Sequence, residues 1–175
     1  HKALTQMTTM IRVENVAKRF GPVTALRDIP GLVVGCPSRG DDAVMMLRTL
    51  AALARVDGRV AVFLEPIALY MSKDLHEAGD GQWLFDYPAQ GQALVPGEGR
   101  VYAPEAGDLV IYTYGNGVPM ALRAARAIEQ QLGWQVRVVD LRWLVPLDAG
   151  FIAAQAASAR RVLVLDEGRH SGGVG

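Results

Sequence analysis

The sequence has little cysteine, little histidine and no excess of either charge. A single cysteine, Cys36, in 175 residues excludes a disulfide bond within the chain. Eighteen basic and 18 acidic residues cancel to a formal net charge of zero, which argues against nucleic acid or an anionic membrane as a partner. No apolar run approaches the length of a membrane span and no export signal marks the first residues, so we expect a cytoplasmic protein.

The few residues that could act as metal ligands or nucleophiles are isolated. His1 and His76 have no partner at ligand spacing, and no metal site is predicted. Cys36 ends an apolar run and has no histidine nearby to activate it, which predicts a buried structural thiol. Half of the residues are hydrophobic, as in globular proteins, and the length allows one well-packed domain or two small ones.

The stretch "GCPSRGDD", residues 35–42, has the glycine spacing of a nucleotide-binding P-loop. Asp41 and Asp42, however, occupy the positions where that loop needs a lysine and a hydroxyl, and two carboxylates would repel a polyphosphate. Pro37 also removes one backbone amide that would cradle the phosphates. We therefore predict an ordinary strand, turn and helix here, with Asp41 or Asp42 capping and charging the first helical turn.

The apolar pattern predicts an α/β fold with parallel or mostly parallel sheets flanked by helices. "GLVVG" and "GRVAVFLEP" read as buried strands around a helix, which together form a parallel βαβ unit. Residues 67–107 are irregular and rich in glycine and proline, and predict a linker between domains. From residue 108, "DLVIYTY", "WQVRVVDL" and "VLVLDE" predict three further strands separated by two helices, the second capped by Asp148.

Polar residues at the ends of these strands are the candidate site residues, because ligands of parallel sheets bind at that edge. Glu65 is a candidate acid or base, against the alternative of a structural carboxylate bonded to backbone or to an arginine. Asp140 and Arg142 are interpreted as an ion pair at a domain interface, with Trp143 buried beside them.

The last candidate stretch is "DEGRHSGG", at the end of the final predicted strand. Glu167, Arg169 and His170 lie there before glycines that allow a close backbone approach. His170 could move a proton or bind a carboxylate, and is a catalytic candidate together with Glu65. The alternative interpretation of all three residues is contact with a neighbouring domain or subunit.

Five short motifs occur in an order that resembles one enzyme family. They are "IPGLVVGCPSRGDDA", "VAVFLEP" followed by "ALY", "DLVIYTYGNGV", "VRVVDLRWLVPLD" and "VLVLDEGRHSGGVG". The chain from Ile29 onward resembles the second half of the β subunit of thiamine-diphosphate-dependent 2-oxo acid dehydrogenases, in the transketolase superfamily. The resemblance implies that residues 29–66 end a pyrimidine-binding domain, 67–107 form the interdomain linker and 108–175 form a truncated transketolase C-terminal-like domain.

The resemblance also implies cofactors and partners. The intact enzyme would carry out oxidative decarboxylation with thiamine diphosphate and Mg²⁺, whereas this chain alone would bind neither. Its partners would be a diphosphate-binding subunit or domain and further copies in an oligomer, with a lipoyl acyltransferase core as a further candidate partner. No residue here inherits the catalytic glutamate of the family.

Residues 1–28 depart from that pattern, and Met10 to Ile29 resemble the opening strands of an ABC-transporter ATPase instead. The sequence thus leaves three functions open. The first is a partial β-subunit module that is inactive alone, the second is a non-catalytic α/β interaction module, and the third is a fragment of an ABC-type ATPase.

Overall fold

The computed structural model describes residues 18–20, 23–26 and 31–168, and within them the chain folds as an α/β protein. No helix in these ranges is long and apolar enough to cross a membrane. Most of the segment that resembles an ABC-transporter ATPase lies outside the described residues. The elements in chain order are β1 (Lys18–Phe20), β2 (Val23–Leu26), β3 (Val33–Gly35), α1 (Gly40–Val56), β4 (Ala61–Phe63), β5 (Arg100–Tyr102), β6 (Leu109–Thr113), α2 (Gly117–Leu132), β7 (Val136–Asp140), β8 (Trp143–Val145), α3 (Ala149–Ala157) and β9 (Val162–Val164).

The first unit is the predicted parallel βαβ arrangement. Strands β3 and β4 pair in parallel, with Val33 beside Ala61 and Gly35 beside Phe63, and α1 connects them. The prediction that β4 is buried is wrong: its residues are only half-buried, because β4 is the edge strand of a sheet ordered β4-β3-β8. Strands β1 and β2 form a separate antiparallel pair.

The predicted helix cap at the start of α1 is also wrong. Arg39 occupies the N-cap position in an extended conformation, and Asp41 and Asp42 both lie inside the first turn. Their carboxylates still add favourable negative charge to the helix N-terminus, as expected. Neither side chain caps the helix, however, because both bind arginine side chains instead.

The segment 67–107 is mostly irregular, but hydrogen bonds hold it to α1 and to α2. The guanidinium of Arg48 on α1 donates to the backbone oxygens of Ala89 and Gln92, at 2.7 and 3.0 Å. Arg123 on α2 donates to the backbone oxygen of Leu75. The segment also contributes β5, which the sequence pattern did not predict. A three-residue strand between glycine-rich turns carries too little periodicity to be recognised.

Replacing Arg48 by alanine should loosen residues 84–95 without unfolding the rest of the chain. The substitution removes charge-assisted hydrogen bonds to carbonyl oxygens, and we expect a loss of roughly 1–2 kcal/mol in the free energy of opening this segment. Limited proteolysis followed by mass spectrometry would show faster cleavage there. Arg55→Ala, an arginine in the last turn of the same helix, is the matched control and should leave the cleavage rate unchanged.

The second unit is a four-stranded sheet ordered β5-β7-β6-β9. Strands β6, β7 and β9 are parallel to one another, as predicted, and β5 is antiparallel at one edge. The predicted cap of α3 is confirmed, since the Asp148 carboxylate accepts a hydrogen bond of 2.9 Å from the backbone N–H of Phe151. The core lies on both faces of β6 and β7, whose residues are all buried.

A sharp turn at Arg142 carries the chain from one sheet to the other. Arg142 has a positive φ of 56°, a conformation that is uncommon for any residue except glycine. It follows β7 in the second sheet and leads directly into β8, which pairs antiparallel with β3 of the first sheet. Strand β8 was not predicted, and through it the two sheets are physically joined.

Candidate functional site

The carboxyl ends of β3 and β4 and the first turn of α1 border a cavity of about 360 Å³, here called the carboxyl-edge cavity. The irregular segment contributes the opposite wall, which includes Tyr70, Trp83 and Phe85. Ligands of parallel sheets bind at this edge, and small-molecule sites have volumes of roughly 300–1,000 Å³. Its position and the aromatic and polar side chains in its walls make this cavity the candidate site.

Among the described residues, Arg39 is the only arginine that lines this cavity, and its guanidinium already has partners. Its guanidinium makes two hydrogen bonds to the Asp41 carboxylate, at 2.9 and 2.7 Å, and it lies 3.8 Å from the centroid of the Phe85 ring. A bidentate pair of this kind satisfies both partners. The cavity therefore presents no uncompensated positive charge to an anionic ligand.

Glu65 lines the cavity as an exposed carboxylate at the end of the β4 segment. The Tyr70 hydroxyl donates a hydrogen bond of 2.5 Å to it, and this bond raises the pKa of Tyr70 above its ordinary value. The structural alternative predicted from the sequence was a Glu65 carboxylate bonded to backbone or to an arginine. Its partner in the structure is the Tyr70 hydroxyl instead. Glu65 faces the cavity, and its role as an acid or base stays a prediction.

Beneath the cavity lies a buried charge cluster, formed by Asp42, Arg100 and Arg142. Asp42 is fully buried, and its carboxylate accepts two hydrogen bonds from Arg100, at 3.2 and 2.8 Å. The Nε atom of Arg142, a residue only 4% exposed, lies 3.3 Å from the same carboxylate. Burial lowers the pKa of Arg142, although the neighbouring Asp42 opposes that effect. One carboxylate therefore holds two arginines from two different parts of the chain.

Asp140 is held in place by hydrogen bonds rather than by the predicted ion pair with Arg142. Its carboxylate is fully buried and accepts hydrogen bonds from the Ser38 hydroxyl, at 2.5 Å, and from the backbone N–H of Arg142, at 3.1 Å. The guanidinium of Arg142 makes its close contact with Asp42 instead of the predicted direct ion pair with Asp140, and the predicted place of both residues at a domain interface stays a prediction. Burial raises the pKa of Asp140 to about 6. Since Ser38 lines the cavity, Asp140 connects the second sheet to the candidate site.

The raised pKa of Asp140 predicts a specific pH dependence of stability. An unfolded chain ionises this group near its ordinary pKa of 3.8, whereas the folded chain keeps the proton up to about pH 6. The stability that Asp140 contributes is therefore complete below about pH 4 and is lost as the pH rises through 6. A shift of about two units corresponds to roughly 3 kcal/mol.

Urea unfolding of the wild type and of Asp140→Asn between pH 4 and 8 measures this effect. The asparagine cannot ionise, so the difference in unfolding free energy between the two proteins should change across the window from pH 4 to 6 and be constant above about 7. Taking the difference cancels the opposite contributions of other carboxylates. A difference that is flat throughout the range would contradict the assignment.

Trp143 and Cys36 are buried structural residues beside the candidate site. Trp143 is 1% exposed and packs in a cluster with Val33, Met46 and Leu50. Cys36 is 6% exposed, and burial, together with the charges of Asp140 and Glu167, raises its pKa to about 12. A thiol that stays protonated at neutral pH is a poor nucleophile.

A second group of polar residues lies at the carboxyl ends of β6 and β9. The Tyr114 hydroxyl donates to Asp166 at 2.8 Å, and the side-chain amide of Asn116 donates to Glu167 at 3.2 Å. Glu167 is exposed, and its predicted role in an interface stays a prediction. Arg169 and His170 lie outside the described residues, and so do the predictions made for them.

Sequence reasoning missed three residues that build the site. Ser38 and Arg100 gave no signal as functional residues, since one lies in a turn and the other begins a short strand, and Asp42 was interpreted only as a helix cap. Ser38 and its partner Asp140 are 102 positions apart, and Arg100 is 58 positions from Asp42. Only contacts between distant segments bring them together.

The fold of the second unit places it in a known domain class. Residues 97–175 match the family model of the transketolase C-terminal domain. A solved structure titled "Split gene transketolase, inactive beta4 tetramer" has a similar fold, with a TM-score of 0.61 and 22% sequence identity. That similarity covers 84% of this chain and 42% of the solved chain. The chain is an α/β protein with a transketolase C-terminal-like second half.

Curated relatives are similar to most of this chain. The chain is 36% identical over 145 residues to the β subunit of 3-methyl-2-oxobutanoate dehydrogenase from Mycobacterium tuberculosis, covering 83% of this chain and 37% of the relative. It is 33% identical to the pyruvate dehydrogenase E1 β subunit of Staphylococcus aureus, covering 86% and 41% of the two chains. It is also 33% identical to 1-deoxy-D-xylulose-5-phosphate synthase of Chlorobium phaeovibrioides, covering 86% and 21%.

Over most of its length the chain is similar both to β subunits of 2-oxo acid dehydrogenases and to 1-deoxy-D-xylulose-5-phosphate synthases. It spans less than half the length of each relative. The resemblance of residues 10–29 to an ABC-transporter ATPase finds no support in these similarities.

Proposed function

We propose that this chain is a module of a thiamine-diphosphate-dependent 2-oxo acid dehydrogenase and acts as part of its β subunit. The observation that carries the proposal is the 36% identity, over 145 residues, to a 3-methyl-2-oxobutanoate dehydrogenase β subunit. The carboxyl-edge cavity is consistent with it, because the cavity lies between the segment predicted to end a pyrimidine-binding domain and the segment predicted to be the linker. In the assembled enzyme the reaction would be oxidative decarboxylation of a 2-oxo acid.

The residues around the cavity do not fit the diphosphate and Mg²⁺ end of the cofactor. Among the described residues, no three His, Cys, Asp or Glu side chains converge in a way that could hold a metal ion. Arg39 is bound to Asp41, and the N-terminus of α1, where an anion would be favoured, carries Asp41 and Asp42. We propose that a partner chain binds the diphosphate and Mg²⁺ and that this chain is inactive without it.

Within that assembly, the chain would shape one wall of the site and hold polar side chains in fixed positions along it. The aromatic wall of the cavity would exclude water from whatever lies against it, and Glu65 would present a carboxylate held in place by Tyr70. Ser38 would be fixed by Asp140, and the buried charge cluster would fix the wall relative to the second sheet. Thiamine diphosphate, when bound in the complete enzyme, supplies the carbanion chemistry.

The test is reconstitution with a purified diphosphate-binding (α) subunit of a branched-chain 2-oxo acid dehydrogenase. The mixture, with thiamine diphosphate and Mg²⁺, is assayed by affinity co-purification and by decarboxylation of 3-methyl-2-oxobutanoate with an artificial electron acceptor. We expect the two chains to co-purify and the chain alone to be inactive. Failure to co-purify would remove the subunit proposal and leave a non-catalytic interaction module.

Thermal unfolding of the chain alone tests whether it binds the cofactor without the partner chain. A ligand that binds only the folded state raises the unfolding midpoint. We expect no shift with Mg²⁺ and thiamine diphosphate or with Mg²⁺ and ATP. A shift with thiamine diphosphate would show that this chain holds the cofactor by itself, and a shift with ATP would favour the ATPase alternative.

A further inference from the structure

The carboxyl-edge cavity carries a charge that no partner in the described part of the chain neutralises. Glu65 lines the cavity as an exposed carboxylate, and no described lysine, arginine or histidine forms an ion pair with it. The other charged residue in the described wall is Arg39, which pairs with Asp41 at 2.7 Å. The charge that the cavity presents to a ligand is therefore negative.

Two hydroxyl groups of the cavity wall present lone pairs rather than protons. Ser38 donates its proton to the Asp140 carboxylate, and Tyr70 donates its proton to Glu65, both at 2.5 Å. A hydroxyl oxygen that donates in this way can still accept hydrogen bonds. The Oε1 atom of Glu65 accepts no hydrogen bond from the described residues. These oxygens are suited to a ligand that supplies the protons.

Aromatic rings form much of the remaining wall. They belong to Phe63, Tyr70, Trp83 and Phe85. The rings of Trp83 and Phe85 meet edge to face, with their centroids 5.2 Å apart. The face of an aromatic ring attracts a cation, and the Arg39 guanidinium already lies 3.8 Å from the centroid of Phe85. This surface favours an apolar or aromatic group that carries a positive charge.

We propose that the carboxyl-edge cavity binds a small organic cation, in which an ammonium or guanidinium group is carried on an aromatic or apolar body. The cationic group donates hydrogen bonds to Oε1 of Glu65, and the Ser38 oxygen is a second acceptor at the end of the neighbouring strand. The body of the ligand packs against the rings of Tyr70 and Trp83. The inference does not rest on the proposed enzymatic function, because it uses only the charges, hydrogen bonds and rings of the cavity.

The same features disfavour an anionic ligand in this cavity. A carboxylate or phosphate would face the unpaired charge of Glu65 and two hydroxyl groups whose protons are already used. The Nε and Nη2 atoms of Arg39 donate to Asp41, so this arginine does not offer a free bidentate site. In an assembled enzyme, the carboxylate of a 2-oxo acid would therefore be bound outside this cavity.

A set of matched probes tests the charge preference on the chain alone. The cation 2-phenylethylammonium, the neutral 2-phenylethanol and the anion 3-phenylpropanoate share the same aromatic body and differ in charge. A ligand-observed NMR titration at low salt should give a dissociation constant of roughly 1 mM for the ammonium, and at least about tenfold weaker binding of the other two. Added salt should weaken the ammonium binding, because Glu65 is exposed and its charge is screened.

A charge substitution assigns the binding to this cavity. Glu65→Gln keeps the shape of the side chain and removes its charge, and should raise the dissociation constant of the ammonium probe about tenfold. Glu105→Gln makes the same change in net charge at an exposed carboxylate that does not line this cavity, and should leave the dissociation constant unchanged. Both carboxylates are exposed, so neither substitution is expected to unfold the chain.

A ring substitution tests the aromatic contact separately from the charge. Tyr70 is 60% exposed, and Tyr70→Leu removes its ring, which should weaken binding of the ammonium probe roughly threefold. Tyr70→Phe keeps the ring and leaves Glu65 without its hydroxyl donor, so binding should be no weaker than in the wild type. The comparison separates loss of the ring from loss of the hydroxyl group.

Each outcome decides the proposal, and none depends on whether the α subunit binds. A preference for the ammonium probe that is lost in Glu65→Gln and kept in Glu105→Gln supports it. Equal binding of the three probes, tighter binding of the carboxylate, or equal effects of the two glutamine substitutions overturns it. So does the absence of ammonium binding up to about ten times the expected dissociation constant.

Discussion

Replacing Asp42 by alanine should lower the free energy of unfolding by roughly 3–5 kcal/mol, because it leaves a buried arginine without its counter-charge. Asp42 is fully buried and holds both Arg100 and Arg142. Arg142 is hardly exposed, and its Nε and Nη1 atoms have no hydrogen-bond partner within the described residues. Water therefore has little access to the Arg142 guanidinium and does not replace the lost counter-charge. Urea unfolding followed by circular dichroism measures the loss.

Asp41→Ala is the matched control, since it makes the same chemical change one residue away. Asp41 is partly exposed and pairs with Arg39, and its removal should cost about 1 kcal/mol. A double variant, Asp42→Leu with Arg142→Met, should recover part of the stability lost in Asp42→Ala, because apolar side chains need no counter-charge. Equal effects of Asp42→Ala and Asp41→Ala would show that the cluster is solvated and does not fix the two sheets.

Trp143→Ala should also lower the free energy of unfolding by roughly 3–5 kcal/mol, through the cavity left in the core. The ring packs against Val33, Met46 and Leu50 and lies 3.4 Å from the point that a side chain on Gly35 would occupy. Trp143 is the first residue of β8, so the change also weakens the strand that joins the two sheets. Urea unfolding measured by far-UV circular dichroism gives the effect.

Two controls separate packing from other effects of the Trp143 substitution. Trp143→Phe keeps most of the ring and removes an indole N–H that has no hydrogen-bond partner among the described residues, so its cost should be far smaller than that of alanine. Trp134→Ala removes the same side chain from a half-buried position under Arg161 and should cost about 1 kcal/mol. If Trp143→Ala cost no more than Trp134→Ala, the packing at β8 would not stabilise the fold.

The main strands and helices could be predicted because their signals are local. The spacing of apolar residues in α1 and α2 and the apolar runs of β3, β6, β7 and β9 lie within a few consecutive residues. Asp148 before α3 is a local cap signal in the same sense, and it was predicted correctly. Strands β5 and β8 have three residues each and are defined by their partners, so no local pattern marked them.

The candidate site was predicted only in outline. The strand-end positions of Glu65 and Asp140 followed from the general rule for parallel sheets. Their partners could not be predicted, because only the folded chain brings Tyr70 to Glu65, and Ser38 and the Arg142 backbone N–H to Asp140. Asp42 was read as a helix cap, which is the common local role for an aspartate in that position. In the folded chain, two arginines from distant segments bind the Asp42 carboxylate, so it does not cap the helix.

The sequence by itself determined the α/β class and the parallel βαβ units, because each depends on the pattern of neighbouring residues. The tertiary structure alone decided how the two sheets are joined and which carboxylate holds the arginines. Those features arise from contacts between distant residues, such as Ser38 and Asp140, which are 102 positions apart, and they have no counterpart in any local pattern. Burial then gives them their strength, because charges removed from water depend on the partners that the fold places beside them.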